Sequence, residues 1–199
     1  MLFCTLFSAG ALLVAETFAH GAVTSYVIGG TTYPGYTGFS PASSPPTIQR
    51  QWPDHNPTLS VTAASVKCNG GTSAALNASV HRQCAGDFSA CDGSGTGWFK
   101  IDQMGMTGTS WGTAVTSTVQ PGSHLIRHEL LALHQADTPQ FYAECAQVVV
   151  TGSGAGTPSG GFLATVPGYA SEDDPGITID IYSSTATTYT PPGPAVWTG

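Results

Sequence analysis

Chemistry in this chain rests first on nitrogen ligands. His20 follows a leader-like segment, and cleavage directly before it leaves a histidine whose α-amine and ring nitrogen can chelate one metal together. The α-amine ordinarily titrates near pH ~8, so a metal displaces its proton at modest cost. Nitrogen donors in a tetragonal plane suit Cu(II). A second cluster runs from His134 to Cys145 (HQADTPQFYAEC). On a strand, Gln140 and Tyr142 share one face while Phe141 turns to the other. A phenol beside an amide, beneath a metal, supplies an axial contact and a hydrogen-bond donor. The plain alternatives are a histidine left by chance at a cleavage point, an ordinary strand tyrosine and a satisfied core histidine.

Other chemistries fit less well. His128-Glu129 begins a zinc-protease pattern, but the position that should hold its second histidine is Ala132. There is no G-x-S-x-G nucleophile motif. No carboxylate spacing among the twelve acidic residues marks a glycosidase pair.

Residues 1–19, MLFCTLFSAGALLVAETFA, explain how His20 becomes a terminus. The apolar run from Leu2 to Ala15 is short for a bilayer span, and small residues at Thr17 and Ala19 precede the cut. We read 1–19 as a secretory signal peptide cleaved after Ala19, and 20–199 as one domain. No Lys or Arg occurs before Arg50, so a membrane anchor or a buried N-terminal strand is the other reading. Cleavage removes Cys4 and leaves Cys68, Cys84, Cys91 and Cys145. Four cysteines in an exported chain fit two disulfides. Asn77-Ala-Ser79 is a candidate N-glycosylation site.

Five Lys and Arg against twelve Asp and Glu give a net charge of −7. That balance argues against nucleic acid and against docking on an anionic membrane. The elements that must hold the chemistry are short strands. Residues 20–30 read as a strand ending in Gly-Gly. The Pro-rich stretch 31–57 reads as a long loop carrying Tyr33, Tyr36, Phe39 and Trp52. His124–His134 and the Val-rich run to Val150 read as strand partners. Residues 84–111 look irregular, 151–161 form a Gly/Ser loop, and Ile177–Tyr182 alternates as a strand. The tail from Pro191 is extended, with Trp197 as an anchor. The pattern predicts an all-β fold, an immunoglobulin-like or fibronectin-III-like antiparallel β-sandwich with long loops.

These residues together resemble a family. HGAVTSYVIGG at 20–30, Cys68-Asn-Gly-Gly, CDGSGTGWFKIDQMGMTG at 91–108, LIRHELLALH at 125–134, QFYAECAQ at 140–147, DPGITIDIY at 174–182 and YTPPGPAVW at 189–197 are similar to the fungal lytic polysaccharide monooxygenases of auxiliary activity family nine. The resemblance implies one copper ion held by a histidine brace, with His20 the first ligand and Tyr142 axial. His134 and Gln140 match the pair that hydrogen-bonds the oxygen species. It implies disulfides Cys68–Cys145 and Cys84–Cys91. Tyr189 matches a surface tyrosine for the glucan, and Tyr33 and Tyr36 are weaker candidates. The implied activity is oxidative cleavage of β-1,4-glucan, usually cellulose, with O2 or H2O2 and an external electron donor. The implied setting is extracellular, for a monomer with neither nucleic acid nor membrane as partner.

One departure stands beside the resemblance. The family's strand into the second ligand histidine, and the apolar strand after it, shrink here to Val80-His81-Arg82-Gln83-Cys84. His81 is the only histidine in that window and is the candidate second ligand; a junction residue in a shortened chain is the equal alternative. A second stretch, near Gly108 to Val119, also looks short. A secreted copper- or glycan-binding protein without catalysis is the competing functional reading.

Overall fold

The structure, a computed structural model, describes residues 21–37, 47–70, 88, 91–103, 118–135, 137–183 and 189–199. Its strands are β1 (Ser25–Ile28), β2 (Thr31–Pro34), β3 (Gly95–Phe99), β4 (Gly122–Ala132), β5 (Gln140–Val150) and β6 (Leu163–Val166). They pair antiparallel as β1–β2, β3–β6 and β4–β5. Among the described residues the one α-helix, α1, is a single turn at Pro175–Thr178. Among the described residues no helix is long and apolar enough to cross a membrane.

The long β4–β5 hairpin is the middle layer. Its register runs from Gly122↔Val150 to Ala132↔Gln140, so the turn between the strands carries His134. On one face Ala146 and Val148 pack with Ile48 and the cross-strand pair Tyr26↔Tyr33 of the β1–β2 hairpin. On the other, Phe141 packs with Val61, Val66, Val166 of β6 and Ile177 of α1. A side chain such as Phe141, 1% exposed, contributes roughly 1.5–3 kcal/mol by burial. The second edge of β5 is also occupied. Arg50 N–H donates to Cys145 C=O at 2.8 Å, Gln147 N–H to Ile48 C=O at 2.8 Å, and Thr58 and Phe141 exchange bonds at 2.9 and 2.8 Å.

Several local expectations change. β2 lies inside the stretch read as loop. Gly29 and Gly30 have φ of 56° and 80°, the left-handed geometry of a tight two-residue hairpin turn, and so fold Thr31–Pro34 back onto β1. Tyr33 therefore faces the core and is not a surface aromatic. β3 lies inside the stretch read as irregular; Gly95 and Gly97, both at positive φ, hide it from β-propensity, and its ladder with β6 shifts register between Gly95 and Trp98. Ile177–Tyr182 is not a strand. Asp174 caps α1 by accepting from Gly176 N–H at 2.8 Å, Pro175 presets the first turn, and residues 181–183 form a further turn. The tail is anchored as expected. Trp197 meets Phe99 edge to face at 5.4 Å, and its N–H donates to Lys100 C=O at 2.8 Å.

Candidate metal centre

The closed end of the β4–β5 hairpin brings three expected residues together. Gln140 opens β5 and Tyr142 follows on the same face, cross-strand from Ala132 and Leu130. The Tyr142 hydroxyl donates to Gln140 Oε1 at 2.7 Å, and Gln140 Nε2 donates to Gln135 Oε1 at 3.4 Å. Gln135 adjoins His134, which is half-buried in the turn. Tyr142 is 2% exposed, and burial raises its pKa, so the group present is a neutral phenol.

His20, His81, Cys84 and Asn77 lie outside the described residues. The other histidines have local roles. His55 lies against Trp52, ring centroids 4.8 Å apart, and His124 bonds Gln120 C=O at 2.9 Å near the open end of β4. His128 stands cross-strand from Glu144. Among the described residues, no three His, Cys, Asp or Glu side chains form a metal-binding group. What they supply is a protonated phenol hydrogen-bonded to an amide, chemistry compatible with a weak oxygen contact to a nitrogen-bound copper. Strong nitrogen donors for such a site would have to come from residues outside those described, where the sequence offers His20 and His81 as candidates.

The candidate glucan-binding tyrosines fall in different surroundings. Tyr189 is 36% exposed and donates to Gly176 C=O at 2.9 Å. Gly176 adjoins Ile177, which packs in the cluster of Phe141, the residue between Gln140 and Tyr142. Tyr36 is half-buried against Trp52, edge to face at 6.1 Å, and belongs with Trp52 and His55. Cys68 and Cys145 are bonded, and Cys91 is itself in a disulfide.

Several buried polar residues were not singled out from sequence, Gln49 and Glu144 among them. Gln49 is 0% exposed although it sits in the Pro-rich stretch, and Glu144 is 1% exposed on the Tyr142 face of β5. Among the described residues Glu144 Oε1 has no hydrogen-bond partner, and burial pushes the carboxyl up to about 7. A carboxyl raised in the folded state binds more protons than the unfolded chain between pH ~4.5 and ~7, so stability falls across that window as pH rises and levels off above it. We expect Glu144→Gln to gain about 2 kcal/mol over the parent at pH 8 and almost nothing at pH 4. Urea denaturation of the metal-free protein at both pH values measures this; equal differences at the two would refute it.

Comparison with known proteins adds the rest. The family described as Auxiliary Activity family 9 (formerly GH61) matches residues 80–189. The chain is 43% identical to AA9 family lytic polysaccharide monooxygenase D of Thermothelomyces thermophilus, over 95% of this chain and 92% of that one. It is 36% identical to AA9 family lytic polysaccharide monooxygenase B of Heterobasidion irregulare, over 100% of both. A crystal structure of a cellulose-active polysaccharide monooxygenase from M. thermophila superposes with a TM-score of 0.79 at 43% identity, over 90% of this chain and all of that one. The first alignment is 237 positions long, whereas 95% of 199 residues is about 189, so about 48 of its positions have no residue in this chain.

Proposed function

The chain belongs to Auxiliary Activity family 9, and on that premise we propose that it is a secreted copper-dependent monooxygenase that cleaves β-1,4-glucan, cellulose above all, oxidatively. In this reading residues 1–19 are removed and the domain 20–199 acts outside the cell. His20 would contribute its α-amine and ring nitrogen, His81 a second imidazole and Tyr142 its phenol oxygen. Copper, when bound, supplies the reaction with O2 or H2O2 at the expense of an external electron donor.

The polypeptide's part is placement. Gln140 accepts from the Tyr142 hydroxyl and fixes its direction, while burial keeps the phenol protonated. His134 and Gln140 present hydrogen-bonding groups at the turn end of the hairpin for a small oxygen species. Tyr189 offers an aromatic edge for a neutral sugar ring, and its hydroxyl is fixed by Gly176. Cys84 pairs with Cys91, and Asn77 carries the glycan. The observation that carries the reading is the Tyr142–Gln140 pair at the hairpin's closed end, within a chain 43% identical to a family member over nearly its whole length.

The copper-loaded mature protein should show a Cu(II) electron paramagnetic resonance signal with three nitrogen couplings, and His81→Ala should reduce them to two. With a reductant, the parent should release oxidised oligosaccharides from cellulose. The about 48 unmatched positions favour a second reading, copper binding without turnover. A two-nitrogen parent signal with no oxidised product would establish that instead.

A further inference from the structure

Gln49 and Glu144 grip one residue, Val23, from two sides, the first at its C=O and the second at its N–H. Gln49 Nε2 donates to Val23 C=O at 3.2 Å and to Tyr26 Oη at 3.1 Å, and its Oε1 accepts from Tyr36 N–H. Glu144 accepts from the Val23 N–H. Both side chains are fully buried, and Gln49 is itself bridged to Ala146 of β5. Gly35 closes the third side. Its N–H donates to Thr24 C=O at 2.7 Å, and a Cβ there would fall 2.5 Å from Val23 O, so only glycine permits the approach.

Val23 stands three residues after His20 in the sequence, so the grip holds the segment that leads directly to it. Glu144 stands two residues after Tyr142 on the same face of β5, about 7 Å along the strand. One strand thus carries both the candidate axial phenol and the anchor of the segment that bears the candidate first ligand.

We propose that Gln49 and Glu144 are positioning residues that clamp the Val23 peptide and thereby set His20 against Tyr142, an inference that rests on the copper reading above. Neither side chain touches the reacting atoms in this scheme. Their work is to remove freedom from a chain terminus that would otherwise fray, since termini open first in folded proteins.

The test uses the mature protein with Gln49→Leu, Glu144→Leu and Glu144→Gln. Glu144→Leu replaces a buried carboxyl by an apolar side chain and should fold even where Gln49→Leu does not. Each leucine variant is expected to exchange the Val23 amide about tenfold faster relative to the β4–β5 amides of the same variant. Each should also weaken Cu(II) binding about tenfold and shift the copper resonance parameters. Glu144→Gln keeps an acceptor for the Val23 N–H and should match the parent in Val23 exchange, copper affinity and resonance. Faster exchange with unchanged copper affinity and resonance would overturn the positioning role; unchanged exchange would overturn the clamp itself. A parent without a three-nitrogen copper signal would count against the proposed function, whereas faster Val23 exchange in the leucine variants would still uphold the clamp.

Discussion

Replacing Cys68 and Cys145 together by alanine is expected to lower stability by about 4 kcal/mol. The bridge joins positions 77 residues apart, with Cα atoms 5.2 Å apart, and each cysteine is 1% exposed. Opening it returns to the unfolded chain the freedom of a long loop, which the chain-entropy account values at about that figure. Cys68 ends the 3-10 turn Ala64–Lys67, while Cys145 lies midway along β5, so the covalent link fixes that turn to the middle layer. Typical domains have net stabilities of about 5–15 kcal/mol, and the variant would spend a large share of that margin. Urea denaturation of the double variant, with the Cys91 bridge intact, is the measurement. A loss below about 1 kcal/mol would show that residual structure in the unfolded chain already closes the loop.

The second large effect concerns Arg127, and Arg127→Met is expected to cost about 3–5 kcal/mol. Its guanidinium donates to Val66 C=O from Nε and Nη2 at 3.0 and 2.7 Å and to Lys67 C=O from Nε at 3.1 Å. It also pairs with Glu129 and lies over the Tyr169 ring, 5.3 Å from the centroid. The Tyr169 hydroxyl donates to Glu129 Oε1 at 2.5 Å, and burial with the neighbouring Glu129 raises that phenol's pKa. Removing the cation leaves a largely buried carboxylate and two backbone carbonyls short of donors. Much of the loss is therefore the penalty on Glu129. Arg127→Met with Glu129→Gln should cost at least about 1 kcal/mol less than the two single changes summed. Strict additivity in a double-mutant cycle would show that the pair is not coupled.

The sequence exposed the middle layer and the candidate site far better than their surroundings. HLIRHELLALH and the run ending in Val148-Val149-Val150 are long and apolar, bounded by turns, and they became β4 and β5. Gln140 and Tyr142 sit on one face because strand periodicity is two, a relation that needs no tertiary information. β2 and β6 have four residues each, too few to show a period, and β3 is broken by glycines. The alternation in Ile177–Tyr182 misled because Asp174 and Pro175 offer a helix cap locally, and a cap outweighs a pattern with no ladder partner among the described residues. Gln49 was hidden by its Pro-rich neighbours, yet it is fully buried. Glu144 carried a usable signal: one carboxylate inside FYAECAQVVV, a run otherwise suited to a core. The His81 and Cys84 window lies outside the described residues, so its reading rests on sequence and family.

From Phe141 to Val148, every residue of β5 is buried, on both faces alike. Most strands keep one wet face, where a lineage can drift without penalty. This strand has none over those eight positions. One face carries Tyr142 and Glu144, the other Phe141 and the disulfide cysteine. Inherited variation that adjusts the chemistry on the first face must leave the second intact, and a one-residue slip in register would exchange the two faces at once. Change is therefore least costly in the loops, and β5 tolerates it only where the packing on both faces is kept.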